Sequence, residues 1–168
     1  MFRQGTTSLV ETNVWMPTKL EEAWELKNRF GETATFIAGG TLLQTHWAKG
    51  LDCPSALISL ENISELKGWG KELMNGQSYI RLGSAITLDF CRQKRELLHP
   101  LLVEAARNIA APAVRNRGTI GGNIANGFGD MIPALLVMDT FLSLYDGNSF
   151  HLQPLADYIK DKSSSLIL

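Results

Sequence analysis

Hydrophobic and polar positions change period several times along this chain, and each change marks an element. Val14-Trp15-Met16 reads as a short strand that Pro17 terminates. Thr18-Lys19-Leu20-Glu21 has the form of a capping box, in which the Thr18 hydroxyl meets an orphan N–H and Glu21 reaches back. The helix it opens carries Leu20, Ala23, Trp24 and Lys27 on one stripe, and Gly31 ends it. Thr33 to Ala38 predicts a buried strand running straight into Gly39-Gly40. Thr41 is then placed to cap a short helix from Leu42 to Ala48, and Ser55 to Leu60 makes a third strand after Pro54. This β-α-β-α-β order predicts a small parallel sheet.

The second half has a different character. Ser78 to Gly83 alternates like a half-exposed strand, and Thr87 is expected to cap a helix through Phe90. Pro100 suits the first position of a helix to about Ala110, with Leu101, Ala105 and Ile109 on its buried face. Gly118 to Ala125 is a second glycine-rich stretch, and taken alone it reads as a strand bend with polar caps. Asp130 is expected to begin a helix through Met138, with Pro133 tolerated in its first turn. Phe141 to Tyr145 and Ser149 to Gln153 predict a hairpin around Asp146-Gly147-Asn148, followed by a short helix from Leu155 to Lys160. Ser164 to Leu168 looks like the start of a strand. The expected division is an N-terminal lobe over 1–62 and a second lobe over 63–168, with the boundary in Asn62 to Gly76.

Composition narrows the function classes. With 168 residues, 45% of them hydrophobic, the chain can bury a core without disulfide or metal staples. A net charge of -1 without a basic stripe argues against nucleic acid as a partner. Cys53 and Cys91 are too few and too far apart to ligate an iron–sulfur cluster or zinc, and two unclustered thiols suit a reducing cytosol. No apolar h-region follows Met1 to Thr7, and runs such as Ala134 to Met138 are too short to span a bilayer. The expectation is a cytoplasmic protein with no membrane span and no metal site.

Chemistry is concentrated at the glycines. In Ala38-Gly39-Gly40-Thr41, adjacent residues without Cβ permit close ligand approach, and the amides of the following helix suit a pyrophosphate. Alone, a Gly-Gly after a strand is more often a plain turn. Thr119, Gly122 and Asn123 surround a second Gly-Gly, and Asp130 offers a carboxylate to sugar hydroxyls or, equally, caps a helix. His46, His99 and His151 lack a neighbouring acid or nucleophile, and Glu21-Glu22 reads as helix N-terminal charge. Trp15 and Trp24 read as core. Arg115 and Arg117 suit phosphate, solvent or a partner's carboxylate. No catalytic constellation is present.

In this order the motifs resemble the FAD-binding subunit, or middle domain, of the molybdenum hydroxylase family, which includes xanthine dehydrogenase and carbon monoxide dehydrogenase. The likeness starts in Pro17 to Ala23 and continues through Ala38-Gly39-Gly40-Thr41, the Leu57 to Leu60 strand and Leu82 to Thr87. It culminates in Arg115-Asn116-Arg117-Gly118-Thr119-Ile120-Gly121-Gly122-Asn123-Ile124. The resemblance implies an α+β, two-lobed FAD-binding domain of the vanillyl-alcohol-oxidase type, with a small parallel lobe and a mixed sheet with helices. It implies that Ile37, Ala38, Gly39, Gly40, Thr41, Leu42 and Leu43, with Thr119, Gly122 and Asn123, hold the FAD diphosphate and ribityl chain. Asp130 would bond the flavin's hydroxyls, and Ile109, Ala110 and Ala111 would lie beside the flavin.

Leu42 departs from the polar residue usual in the family after A-G-G-T, and Gly127-Phe128-Gly129 makes a shorter loop before Asp130. Family members also continue past the equivalent of Leu168 into a C-terminal lobe, so a partial chain is expected. The implied activity is electron transfer from [2Fe–2S] clusters on a small subunit to FAD and on to an acceptor, with a molybdopterin-binding large subunit as the other partner. A stand-alone flavin oxidoreductase and a degenerate, non-catalytic assembly module are the alternatives.

Overall fold

A computed structural model describes residues 11–160. The strand expected in Ser164 to Leu168 and the segment Met1 to Thr7 lie outside the described residues.

The N-terminal sheet is parallel and three-stranded. Its strands are β1 (Asn13–Trp15), β2 (Ala34–Ile37) and β3 (Ala56–Ser59), in spatial order β1-β3-β2. Burial explains the order: β3 is buried at all four positions, while β1 is exposed along its length. Helix α1 (Leu20–Phe30) connects β1 to β2 and buries Leu20 and Ala23 against the sheet. Its stripe also carries Lys27, whose ammonium donates to the carbonyls of Gly31 at 2.8 Å and Ala34 at 2.6 Å, fastening the helix end to β2. The expected capping box is displaced: Lys19 is the N-cap residue, and Glu22, not Glu21, accepts from the Thr18 amide and hydroxyl. Four residues on from Thr18, Glu22 faces back over the first turn of the helix. Nor is Trp15 a core residue: it is 37% exposed and packs on Phe30 at 5.3 Å between ring centroids.

Helix α2 (Thr41–Ala48) bridges β2 and β3. Thr41 is its first residue rather than its cap, because Gly40 takes the cap position in a left-handed conformation at φ 70°. A first hairpin, β4 (Trp69–Met74) and β5 (Gln77–Leu82), follows. Only its second strand is anticipated by the alternation in Ser78 to Gly83. The turn is Asn75-Gly76, both at positive φ, the backbone that two-residue hairpins require.

The remaining helices are α3 (Leu88–Gln93), α4 (Pro100–Asn108), α5 (Pro112–Arg115), α6 (Ile120–Ala125), α7 (Ile132–Val137) and α8 (Leu155–Lys160). Thr87 caps α3 as expected, accepting from the Phe90 amide at 3.2 Å. Pro100 opens α4, but the helix stops at Asn108 and buries Leu102, Val103 and Ala106; Leu101 is 38% exposed. Of the expected face, Ile109 is buried just past the helix end and Ala105 packs against the same core, so only Leu101 is misplaced, and Leu102, Val103 and Ala106 complete the buried side. The glycine-rich stretch is also not a strand bend, because Ile120 to Ala125 is helical. Asp130 lies in the turn before α7. The last hairpin, β6 (Phe141–Tyr145) and β7 (Phe150–Pro154), is antiparallel as the turn residues predict.

Two hydrophobic clusters form. The first gathers Leu20, Ala23, Ala34, Ala56, Ile58 and Leu60 of the parallel sheet and α1, and adds Ile63, Leu66 and Tyr145. The second contains Leu88, Cys91, Leu102, Ala106, Met131, Leu135 and Leu144 among others, from α3 to α8.

Candidate cofactor-binding site

The first glycine element is built by β2 delivering the chain to Gly39-Gly40, where α2 starts. Gly40 accepts from the Gln44 amide at 2.9 Å, so α2 begins directly at the glycines. The amides of Gly40, Thr41 and Leu42 have no hydrogen-bond acceptor among the described residues. Such first-turn donors carry the positive end of the helix dipole and suit an anionic group.

The second element meets the first across 78 positions of sequence. Arg117 Nε donates to the Gly39 carbonyl at 3.3 Å. A Cβ on Gly39 would lie 1.8 Å from the Arg117 carbonyl oxygen, so only glycine allows the two backbones to touch here. One residue on, a Cβ on Gly118 would lie 3.6 Å from the Thr41 hydroxyl. Arg117-Gly118 thus seats directly on Gly39 to Thr41.

Gly118 to Gly121 is held from its other side by Ser84 to Leu88. The Leu88 amide donates to Gly118, Ile120 donates to Ile86, and Gly121 donates to Ser84 at 2.8 Å; Thr87 and Thr119 form an antiparallel bridge. Here the two glycines of the pair part company. Gly121 is buried against Ser84, and a Cβ would come within 2.6 Å of it. Gly122 is exposed, and the nearest atom to its Cβ would be the Thr119 hydroxyl at 3.0 Å. Gly121 is a packing residue, whereas Gly122 leaves backbone open to a ligand.

The other expected residues divide in the same way. Thr119 is buried and caps α6, its hydroxyl accepting from the Gly122 amide at 3.1 Å. Asn123 Oδ1 accepts from the Met131 amide at 3.0 Å, tying α6 to the start of α7. Asp130 is exposed and makes no side-chain hydrogen bond or ion pair among the described residues. Leu42 is 39% exposed on the first turn of α2; Ile37, Ala38 and Leu43 are half-buried. Ala110 and Ala111 are exposed between α4 and α5, and Ala110 is left-handed at φ 43°, rare for a residue with a Cβ. The structure joins residues 37–43 directly to the 117–118 step that leads into Thr119, Gly122 and Asn123.

The sequence leaves Arg115 and Arg117 open between phosphate, solvent and a partner's carboxylate. Both guanidiniums turn to backbone carbonyls: Arg117 to Gly39, and Arg115 to Ile109 at 2.7 Å and to Ala110. No periodicity announces such bonds. His99 is structural, its Nδ1 accepting from the Leu101 amide at the start of α4. Beneath the site, the Arg92 guanidinium holds the Asp89 carboxyl below its usual range, and the Arg115 charge adds to the effect.

A run of unpaired amides at a helix start, beside a glycine surface open at Gly122, fits a dinucleotide diphosphate. The family model for the FAD binding domain in molybdopterin dehydrogenase matches residues 10–167. The chain belongs to this family. Among its relatives, the carbon monoxide dehydrogenase medium chain of Hydrogenophaga pseudoflava is 35% identical over 130 residues, 72% of this chain and 42% of the relative. The xanthine dehydrogenase FAD-binding subunit of Escherichia coli O157:H7 is 32% identical over 130 residues, 73% of this chain and 42% of the relative. The solved carbon monoxide dehydrogenase of Hydrogenophaga pseudoflava superposes with a TM-score of 0.82 at 29% identity, covering 89% of this chain and 52% of that one. The chain therefore spans about half the length, or less, of these relatives. The mixed helix-and-strand fold is that of the FAD-binding part of these dehydrogenases, and FAD is the cofactor the family binds. No helix among the described residues is long and apolar enough to cross a membrane.

Proposed function

We propose that this chain is the flavin-holding part of a cytoplasmic molybdopterin-dependent dehydrogenase. The observation that carries the proposal is the backbone contact of Gly39 with Arg117, which makes one surface of two glycine elements far apart in sequence. The open amides of Gly40 to Leu42 receive the diphosphate, and Gly122 lets the chain of the cofactor pass close to the backbone. Asp130, exposed and unpaired among the described residues, accepts hydrogen bonds from the ribityl or ribose hydroxyls. Ala110 and Ala111 border the isoalloxazine. Thr119 and Asn123 act chiefly by fixing α6 and the turn to α7.

When bound, FAD supplies the redox chemistry, taking electrons from [2Fe–2S] clusters on a small partner subunit and handing them to an acceptor. The substrate is oxidised on a molybdopterin-binding large subunit. This chain's own residues orient the flavin, and none is needed as a general base. We read the two hydrophobic clusters as the two lobes of a vanillyl-alcohol-oxidase-type domain, over 1–62 and 63–168. Ile63, Leu66 and Tyr145 belong by packing to the first cluster, so that boundary divides the chain rather than the packing.

The test is titration of the flavin-stripped full-length protein with FAD, followed by flavin fluorescence and absorption. Saturable binding with perturbed flavin bands is expected. Absence of binding, even with the partner subunits present, would leave a non-catalytic assembly module as the better reading.

A further inference from the structure

The turn between α4 and α5 holds a backbone conformation that the proposed function leaves unexplained. Helix α4 ends at Asn108, α5 starts at Pro112, and between them Ala110 stands at φ 43°. L-residues with a Cβ avoid this region because the Cβ crowds the following carbonyl. Ala110 is exposed, so no packing of its own side chain holds it there. What holds the turn is Arg115, the last residue of α5, whose Nη1 reaches back to the carbonyls of both Ile109 and Ala110. Its Nε is buried with no hydrogen-bond partner among the described residues. A buried donor without an acceptor costs free energy, so this guanidinium is not arranged for stability alone. Strained backbone held by its surroundings is a common feature of ligand sites.

Two residues further on, Arg117 docks on Gly39. The segment from Arg115 to Arg117 thus grips the Ala110 turn with one end and the first glycine element with the other. We infer that Arg115 is a positioning residue for the flavin: its guanidinium holds the Ile109–Ala110 turn in the left-handed shape that borders the cofactor, before the cofactor arrives. The inference rests on the FAD reading above.

The test uses the flavin-stripped full-length protein titrated with FAD, together with the midpoint potential of the bound flavin. Arg115→Ala should weaken FAD binding about 10-fold, the order expected when an Ala is no longer held in the left-handed region. Adding Ala110→Gly should recover most of that loss, because glycine takes positive φ without a Cβ penalty. Ala110→Val, at an exposed position, should weaken binding with Arg115 intact, since a β-branched residue resists this φ. The midpoint potential should shift in the weakened variants and return with the rescue, whereas a purely structural arginine would move only the unfolding midpoint.

Wild-type FAD affinity and potential in both Arg115→Ala and Ala110→Val would overturn the inference. So would a loss in Arg115→Ala that Ala110→Gly does not recover. Should Arg115→Ala fail to fold, Ala110→Val decides alone. No FAD binding by the unmodified protein would instead overturn the cofactor reading itself.

Discussion

The two glycines at positions 39 and 122 look alike in sequence and differ in what surrounds them. At Gly39 a Cβ would occupy the space of the Arg117 carbonyl, 1.8 Å away. Gly39→Ala should therefore force the glycine elements apart and destabilise the protein by about 3 kcal/mol, the upper end of overpacking costs, as measured by urea unfolding. At Gly122 the backbone is open and only the Thr119 hydroxyl is near. Gly122→Val should leave the protein folded while abolishing FAD retention; unchanged affinity would show that the diphosphate lies elsewhere. The two cysteines make a second contrast. Cys53 is exposed and Cys91 is buried, and burial pushes the Cys91 thiol up to about 11 from 9.0. Only Cys53 should react with a thiol reagent in the native state. The raised value means that the folded protein keeps the proton where the unfolded chain loses it. Stability should be full below pH 9 and fall by about 2–3 kcal/mol as pH rises toward 11, a slope that Cys91→Ala should remove from the unfolding free energy.

Elements were legible to the degree that their own residues decide them. Helix α1, the strands of the parallel sheet and the last hairpin follow from period and turn chemistry, and they form where expected. Helix α4 illustrates the limit. Leu101, Ala105 and Ile109 have helical spacing, but so do Leu102, Val103 and Ala106, and a helix apolar on so wide an arc does not declare which side is inward. Packing against α3 and α7 buries the second set, keeps Ile109 and part of Ala105 with it, and leaves Leu101 out. Leu102→Ala should accordingly cost about 2–5 kcal/mol through the cavity it leaves. Leu101→Ala, at a position 38% exposed, should cost much less in the same denaturant series. Equal losses would restore the face expected from sequence. The helix α6 was hidden for a different reason: Gly121 and Gly122 lower intrinsic helix propensity, and the turn forms because Thr119 caps it and Gly121 packs on Ser84.

For the whole molecule, the consequence of the site is linkage. A ligand that binds only the folded state stabilises it, by about 2.7 kcal/mol at a concentration 100 times Kd. FAD should raise the Tm of the full-length protein in a concentration-dependent way, and Gly122→Val should lose that response while keeping a cooperative transition. A Tm indifferent to FAD in the unmodified protein would mean that the glycine surface is not coupled to folding by this ligand.

The residue order alone carried the β-α-β-α-β start, most of the helices, the two glycine elements and their family resemblance, because strand period, caps and turns are local chemistry. Which glycine packs and which stays open, which face of α4 is buried, and where the two arginines point were decided only in three dimensions. The glycines and Arg117 depend on an atom distant in sequence: the Arg117 carbonyl over Gly39, Ser84 against Gly121, the Gly39 carbonyl accepting from Arg117. No period along the chain encodes such a contact, since it exists only after the two segments have folded against one another.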